Sequence, residues 1–316
     1  MADRPQVLFI NGDRIGDCVM MSAALPILRR QFPGCAITLA CGPHAAPLFR
    51  AAPGVERVIP LPKKKAGMHW LDLYRQVAGT HWDVVVDIRG SSIAWLLRAR
   101  ERRVYNRAWE TGLHKVEMVS RMMGSDQAAD PEIVLDAAAR ARADQIIGAD
   151  PRPIIALAPI ASLPIRSWPL DRWAGLVERL MAEPRFDGWR IMMVGGPGDR
   201  EAAAPSLAAA GERGIDCVGQ SDILASAAAI ARAALFVGND SGLMHVSAAV
   251  GTPTLGVFGP SEWWHKAPWG ERGRIVAAAP ERGTYAPIEA LGVDQVFAAT
   301  VALHDAFIPA RPQPAP

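Results

Sequence analysis

The chain has 316 residues, 50% of them hydrophobic and 21% charged, with 34 Lys+Arg against 32 Asp+Glu. That apolar content with a net charge of +2 excludes disorder for the bulk of the chain. Nor does it give the global basic field that a nucleic-acid binder carries. At ~100–200 residues per domain, the length predicts two domains, each able to bury its own core.

From the N-terminus, only Val7–Ile10 is continuously apolar before polar residues resume. A secretory leader needs a longer apolar stretch and a spanning helix ~20 apolar residues, so the chain reads as cytoplasmic. Val7–Ile10 is predicted to be a buried strand, Val19–Phe32 a helix stopped by Pro33-Gly34, Ala36–Ala40 a second strand and Val58–Leu61 a third. Val84–Ile88 (VVVDI) is a strongly apolar strand that exits into Arg89-Gly90-Ser91. Continuous apolar strands separated by helices predict a parallel sheet covered on both faces.

Residues 122–150 are Ala-rich and acidic, with two Arg against six Asp+Glu, and the domain boundary is placed at 150. The pattern then restarts with Ile154–Ala158, a helix over about 170–183, Arg190–Val194, a short strand near Cys217-Val218, Leu235–Val237 and Thr254–Phe258. Two βαβ series predict two doubly wound domains, 1–150 and 151–308, facing a cleft, with ligands at the carboxyl ends of the strands. A last amphipathic helix over about 293–307 carries Val293, Val296, Phe297, Thr300, Val301, His304 and Phe307 on one face and is free to pack back on the first domain. The proline-rich tail 309–316 is expected to be disordered. Cys18, Cys35, Cys41 and Cys217 form no C-x-x-C pair and no zinc spacing with histidine. Reduced thiols are expected, with Cys35 and Cys41 near enough in sequence to meet.

The loops after the strands hold the candidate chemistry. The first strand runs into Asn11-Gly12-Asp13-Arg14-Ile15-Gly16-Asp17. Gly12 and Gly16 allow a tight turn and close approach of a ligand, but neither G-x-G-x-x-G nor G-K-[ST] is present. Taken alone, Asp17 is a first-turn acid or N-cap before it is a general base. Phe236–His245 (FVGNDSGLMH) is a strand end, a polar turn and a helix start whose backbone N–H groups suit a diphosphate, with Asp240 and Ser241 able to cap the helix. Gly195-Gly196-Pro197-Gly198-Asp199 has the character of a nucleotide-contacting loop, and Phe258–His265 follows a strand in the same layer. Arg166 suits a phosphate or the open surface equally, while Trp168-Pro169 reads as packing and a helix start.

Together these segments resemble glycosyltransferase family 9, the heptosyltransferases of lipopolysaccharide core assembly. The resemblance rests on VLFINGDRIGDCVMMSAALPILRRQFPG, VVVDIRGS, RSWPLDRWAGLVERL, MMVGGPGDRE and ARAALFVGNDSGLMHVSAAVGTPTLGVFGP, and so covers nearly the whole chain. It implies a GT-B fold of two Rossmann-like domains, acceptor on the first and nucleotide-sugar on the second, and transfer with inversion. Asp17 matches the family's catalytic aspartate, which turns its reading from cap to base, with Asp13 in reserve. Arg166 stands where the family has a lysine that stabilises the departing diphosphate. Asp240, Ser241, Gly242, Leu243 and His245, with Gly195 and Gly196, match the donor side; Gly16, Lys63, Lys64, Lys65 and Arg89 are assigned to the acceptor. No metal or cofactor is implied. ADP-heptose is the default donor and an anionic glycolipid or oligosaccharide the acceptor, at the inner membrane face. The chain departs from the family at Ala158-Pro159-Ile160-Ala161 (usually H-P-G-A), at Arg166 and at Trp263-Trp264-His265. Those departures leave a different donor sugar, or a binding protein without catalysis, as alternatives; a Rossmann oxidoreductase is disfavoured by the missing fingerprint.

The small net charge hides an uneven distribution. Residues 57–121 hold 13 basic against 6 acidic residues, including Lys63-Lys64-Lys65 and the Arg98–Arg107 cluster. Either the acidic 122–150 segment neutralises this stretch, or it forms a surface for an anionic acceptor or lipid head groups.

Overall fold

The computed structural model describes residues 4–109 and 112–309, so the predicted tail lies, from residue 310 onward, outside the described residues. The chain forms two α/β units, Met1–Asp136 and Ala137–Pro316, each on its own parallel sheet.

In the first unit, β1 (Gln6–Ile10) leads to α1 (Ile15–Met21), α2 (Ala24–Gln31), β2 (Ala36–Cys41), β3 (Val55–Pro60) and α3 (Met68–Val77). There follow β4 (Trp82–Asp87), α4 (Ile93–Leu96), β5 (Ala99–Val104) and α5 (Lys115–Met122). The sheet order is β3-β2-β1-β4-β5, with every pairing parallel. The sequence predicts one helix over 19–32, and the structure breaks it. Pro26 has no N–H to give to Ser22 and its ring would clash with that carbonyl; the Leu25 N–H bonds Ser22 O instead, at 2.8 Å. β5 reads as a basic cluster in sequence (ARERRV) because it is an edge strand, where charge on the solvent side is tolerated and guards against pairing with another chain. Its Arg102 ties α4 down through the carbonyls of Ala94 and Leu97, at 2.9 and 2.6 Å. Cys35 and Cys41 cannot meet, since they stand at opposite ends of the six-residue β2, ~20 Å apart at 3.3 Å per residue. All four cysteines are free and buried.

The second unit starts earlier than residue 150. The segment Ala137–Ile147 is a helix, α6, that packs on α9 (Ile223–Ala231) and buries Ala139, Ala143 and Ile147. Between them run β6 (Ile154–Ala158), α7 (Leu170–Ala182), β7 (Arg190–Met193), α8 (Arg200–Ala210) and β8 (Gly214–Asp216). After α9 come β9 (Leu235–Asn239), α10 (Gly242–Ala249), β10 (Thr254–Phe258), α11 (Trp263–Lys266), β11 (Gly273–Ala277) and α12 (Val293–Phe307). The sheet order is β11-β10-β9-β6-β7-β8. One core cluster joins Trp168, Trp173, Leu176 and Val177 to the sheet residues Ile155, Leu157, Leu235 and Val257. α12 lies against α7, β10 and β11 of this same unit, with Val296, Thr300 and Leu303 buried, so its apolar face is satisfied there. Among the described residues no helix is long and apolar enough to cross a membrane.

Candidate active site

In an open parallel sheet, ligands collect where the strand order reverses, outside the carboxyl ends of the two strands at that point. In the first sheet the reversal falls between β1 and β4, and in the second between β6 and β9. Asp13, Gly16, Asp17 and Arg89 follow β1 and β4 in the first unit, and Arg166 and the Asp240–His245 segment follow β6 and β9 in the second. Lys63–Lys65 follow β3, and Gly195-Gly196 follow β7.

The loop after β1 is rigidly built. Buried Asn11 accepts the Gly12 N–H at 2.7 Å and donates to Cys18 O at 3.1 Å, and the Cys18 thiol donates to Gly12 O at 3.0 Å. A hydrogen bond with Cys41, then burial, pushes the Cys18 thiol well up, so it is an inert structural thiol. Gly42 lies so close to the loop that a Cβ there would stand 1.9 Å from Asp13 O. Glycine alone fits, a requirement not visible from the loop's own sequence.

Asp17 sits in the first turn of α1, beside Gly16, and is not the N-cap; that position is Arg14. Its Oδ1 is 2.5 Å from Lys115 Nζ, a partner the sequence did not indicate. Lys115 opens α5, whose start is fixed by a reciprocal cap. His114 Nδ1 accepts the Val116 N–H at 3.2 Å, and the Glu117 carboxylate accepts the His114 N–H at 3.0 Å. Asp13 is clamped differently, with Oδ1 2.7 Å from Arg89 Nη1 and Oδ2 2.8 Å from Lys63 Nζ. Arg89 in turn lies 4.5 Å over the Trp70 ring. The turn carrying Arg89 hangs on fully buried Asp87 at the end of β4, which accepts the Arg89 and Ser91 N–H groups at 2.8 and 2.9 Å and the Ser91 hydroxyl at 2.5 Å. Burial raises its pKa above the usual carboxylate value despite those bonds. Of the residues assigned to the acceptor, Arg89 and Lys63 thus meet on Asp13; Lys64 pairs with Asp72 at 2.7 Å, and Lys65 is exposed.

In the second unit, Arg166 comes from the loop after β6 and Asp240 from the loop after β9, and the fold joins them: Nη1 to Oδ2 is 3.2 Å, with Asp240 buried. Buried Asn239 holds the two loops in register by donating to Pro159 O at 2.7 Å and accepting the Trp168 N–H at 3.1 Å. Ser241 occupies the N-cap position of α10, yet neither it nor Asp240 caps the helix through a side chain, against the sequence expectation. The buried Ser241 Oγ has no hydrogen-bond partner among the described residues. Gly242 and Leu243 begin α10, and His245 is buried one turn in. Gly195 and Gly196 leave β7, one strand over from β6; the Gly196 N–H bonds the Asp199 carboxylate at 2.7 Å. Ile160 packs on the core of this unit. Trp263, Trp264 and His265 form an aromatic group, with ring centroids 5.8 and 5.7 Å apart; Trp264 also lies 6.3 Å from Tyr285 and under Arg282. Among the described residues no group of three or more His, Cys, Asp or Glu could hold a metal ion.

The sequence profile of "Glycosyltransferase family 9 (heptosyltransferase)" matches residues 89–286, well over half of the chain. The chain belongs to this family. It is 27% identical over 296 residues to lipopolysaccharide heptosyltransferase 1 of Pseudomonas aeruginosa, covering 81% of this chain and 79% of that one. Among solved structures it resembles a family 9 glycosyl transferase from Veillonella parvula (TM-score 0.83, 19% identity, 96% and 98% coverage). It also resembles ADP-heptose lps heptosyltransferase II of E. coli (TM-score 0.76, 20% identity, 94% and 98% coverage). A third, an E. coli heptosyltransferase solved with ADP, gives 0.74 at 18% identity, with 94% and 99% coverage. The two parallel α/β units are therefore those of a GT-B glycosyltransferase, and the chain is a glycosyltransferase of the heptosyltransferase family. Sequence reading named these loops and missed the contacts that hold them: Lys115 on Asp17, Asp87 under Arg89, Gly42 under Asp13 and Asp240 on Arg166.

Proposed function

We infer that this family 9 member transfers a heptose from ADP-heptose, with inversion, onto an anionic acceptor of the lipopolysaccharide-core type. The pairing of Arg166 with Asp240 at the strand-order reversal of the second sheet carries the reading. There a guanidinium, an unpartnered Ser241 hydroxyl and the N-terminus of α10 share one loop cluster, a set suited to a nucleoside diphosphate. Relatives of the same fold were solved with ADP and with ADP-2-deoxy-2-fluoro heptose.

In this reading the Asp17 carboxylate takes the proton of the acceptor hydroxyl as its oxygen bonds to the anomeric carbon. The bond from that carbon to the diphosphate oxygen breaks, and ADP departs with its negative charge stabilised by Arg166 and the backbone N–H groups of α10. Asp17 is taken as the base on the family resemblance of its motif, and Asp13, held by Arg89 and Lys63 together, stays in reserve. The basic stretch around Lys63, Lys64, Lys65 and Arg89 attracts the acceptor's anionic groups. A second reading keeps the mechanism and changes the sugar: the aromatic group Trp263-Trp264-His265 and the core-packed Ile160 alter the surroundings of the donor loops.

A thermal-shift panel of ADP-, UDP-, GDP- and dTDP-sugars separates the two, since a ligand that binds only the folded chain raises its melting temperature. A shift with ADP-heptose, and heptose transfer abolished by Asp17→Asn with donor binding retained, is the expected result. A shift confined to another nucleotide-sugar establishes the second reading. Donor binding without turnover on any acidic glycolipid acceptor makes the chain a binding protein.

A further inference from the structure

The exposed apolar side chains of α3 and α4 have no role in the site described above, although Lys63, Lys64 and Lys65, just before α3, belong to its acceptor side. Both helices anchor in one buried cluster: Leu73 and Val77 of α3 and Ile93 and Ala94 of α4 join Leu61, Trp82 and the sheet residues Leu8 and Val85. With their inner faces so fixed, both turn large apolar side chains to solvent. Trp95 and Leu96 of α4 are 66% and 67% exposed, and Met68, Leu71 and Tyr74, spaced three residues apart on α3, are also exposed. An indole and a leucine left outside a folded chain, on a helix anchored in the same buried cluster as one with three more exposed apolar side chains, mark a contact surface.

Its surroundings are basic. Lys63, Lys64 and Lys65 precede α3, Arg75 lies on its exposed side, and Arg98 follows α4, all exposed to solvent. The acids facing them are Asp72, shared by Lys64 and Arg75, and Asp13, shared by Lys63 and Arg89. Four of the six acids in the 122–150 segment are committed elsewhere. Glu132 bonds Arg29, Asp136 bonds Arg50, Asp144 bonds Arg232 and Asp150 bonds Arg152, and all four arginines lie outside residues 57–121.

We propose that the α3–α4 surface docks the protein on an anionic lipid bilayer, with Trp95 and Leu96 entering the interface and Lys63, Lys64, Lys65, Arg75 and Arg98 lying against the head groups. Trp and Tyr settle at the level of the head groups, with an apolar ring and a polar edge. Lys and Arg bury their stems while keeping the charge in water. Apolar insertion and a polybasic rim are two separate weak signals that together suffice for reversible attachment. A second copy of this chain fits the surface badly, because a two-fold contact would set the same lysines and arginines against each other. The proposal is independent of which donor the second unit takes.

The test is co-sedimentation of the full chain with vesicles of phosphatidylcholine, with and without phosphatidylglycerol. Binding to the anionic vesicles alone, weakened by salt and cut ~10-fold or more in the double variant Trp95→Ser/Leu96→Ser, is expected. Both positions are exposed, so the variant's melting temperature should match the parent's. A label offers a second route that does not depend on that variant. The native cysteines are buried, so Leu96→Cys takes an environment-sensitive dye selectively, and its emission should shift to the blue on anionic vesicles. The proposal fails if the parent chain ignores anionic vesicles at low salt, if the double variant binds like the parent, or if the dye stays unshifted. It also fails if the parent self-associates through this face without lipid and the variant does not; the occupant is then a second copy.

Discussion

Lys115 Nζ lies 2.5 Å from Asp17 Oδ1, bridging 98 residues of chain to meet the one carboxylate in the first turn of α1. The ammonium holds that side chain in one rotamer. In the mechanism proposed above, that ion pair orients the carboxylate toward the acceptor hydroxyl. An ångström of misplacement at a reacting group costs up to ~100-fold in rate. Lys115→Met should therefore lower kcat ~10- to 100-fold and leave the donor Kd unchanged, with Lys115→Arg restoring part of the loss. Asp17→Asn should cost more, ~100- to 10,000-fold, as the loss of a general base does. Steady-state kinetics alongside calorimetric donor binding read both effects.

Gly42 carries the other side of the same loop. An added Cβ would stand 1.9 Å from a backbone oxygen, which has no rotamer to move to. Gly42→Ala should destabilise by about 3 kcal/mol or more, the upper end for overpacking, and displace the Asp13–Asp17 turn. Gly79→Ala is the control, with nothing within 4 Å of its added carbon. Thermal unfolding of the two variants compares a steric clash with a plain change of residue.

Arg166 has one Nη on Asp240, which leaves its other donors for a diphosphate. A lysine ammonium is a single point charge that must be shared between the two. Arg166→Lys should thus reduce kcat by ~10-fold or more in this chain, although lysine is the residue its relatives use. Adding Asp240→Asn should recover part of the deficit, a coupling that a double-mutant cycle measures.

Asp87 predicts a pH dependence. Burial raises its pKa in the folded chain above the unfolded value, so the folded state holds the proton longer. The stability it contributes is full below the unfolded pKa and is lost as pH rises through the folded one. Asp87→Asn removes the titration and keeps an acceptor on one side only, since Arg89 bonds one carboxylate oxygen and Ser91 the other, a cost that does not vary with pH. The stability of the variant relative to the parent should improve from pH 3 toward neutrality, as denaturant unfolding at a series of pH values would show. A difference that is flat with pH would place the titration elsewhere.

The two sheets were legible because their inner strands are apolar on both faces; VVVDI and TLGVF could be little else. β5 was not, since an edge strand needs only one apolar face and its arginines hid the period of two. The break at Ser22 was open to inference from Pro26, whose missing N–H is a local property. The site divides along the same line. Asp17, Asp240 and Ser241 sit in motifs and were named from them. Lys115, Gly42 and Asp87 act across the fold, through a distance of 2.5 Å, a missing Cβ and three converging hydrogen bonds. Sequence order places none of these beside what it supports.

Asp136 is tied to Arg50, while its neighbour Ala137 begins a helix seated on α9. Two consecutive residues thus answer to different cores. Severed after Asp136, the first half keeps its Arg29–Glu132 and Arg50–Asp136 ties; severed after residue 150, it trails a helix whose Ala139, Ala143 and Ile147 have lost their cover. That single peptide bond is where halves from different relatives can be exchanged with each half keeping its own core.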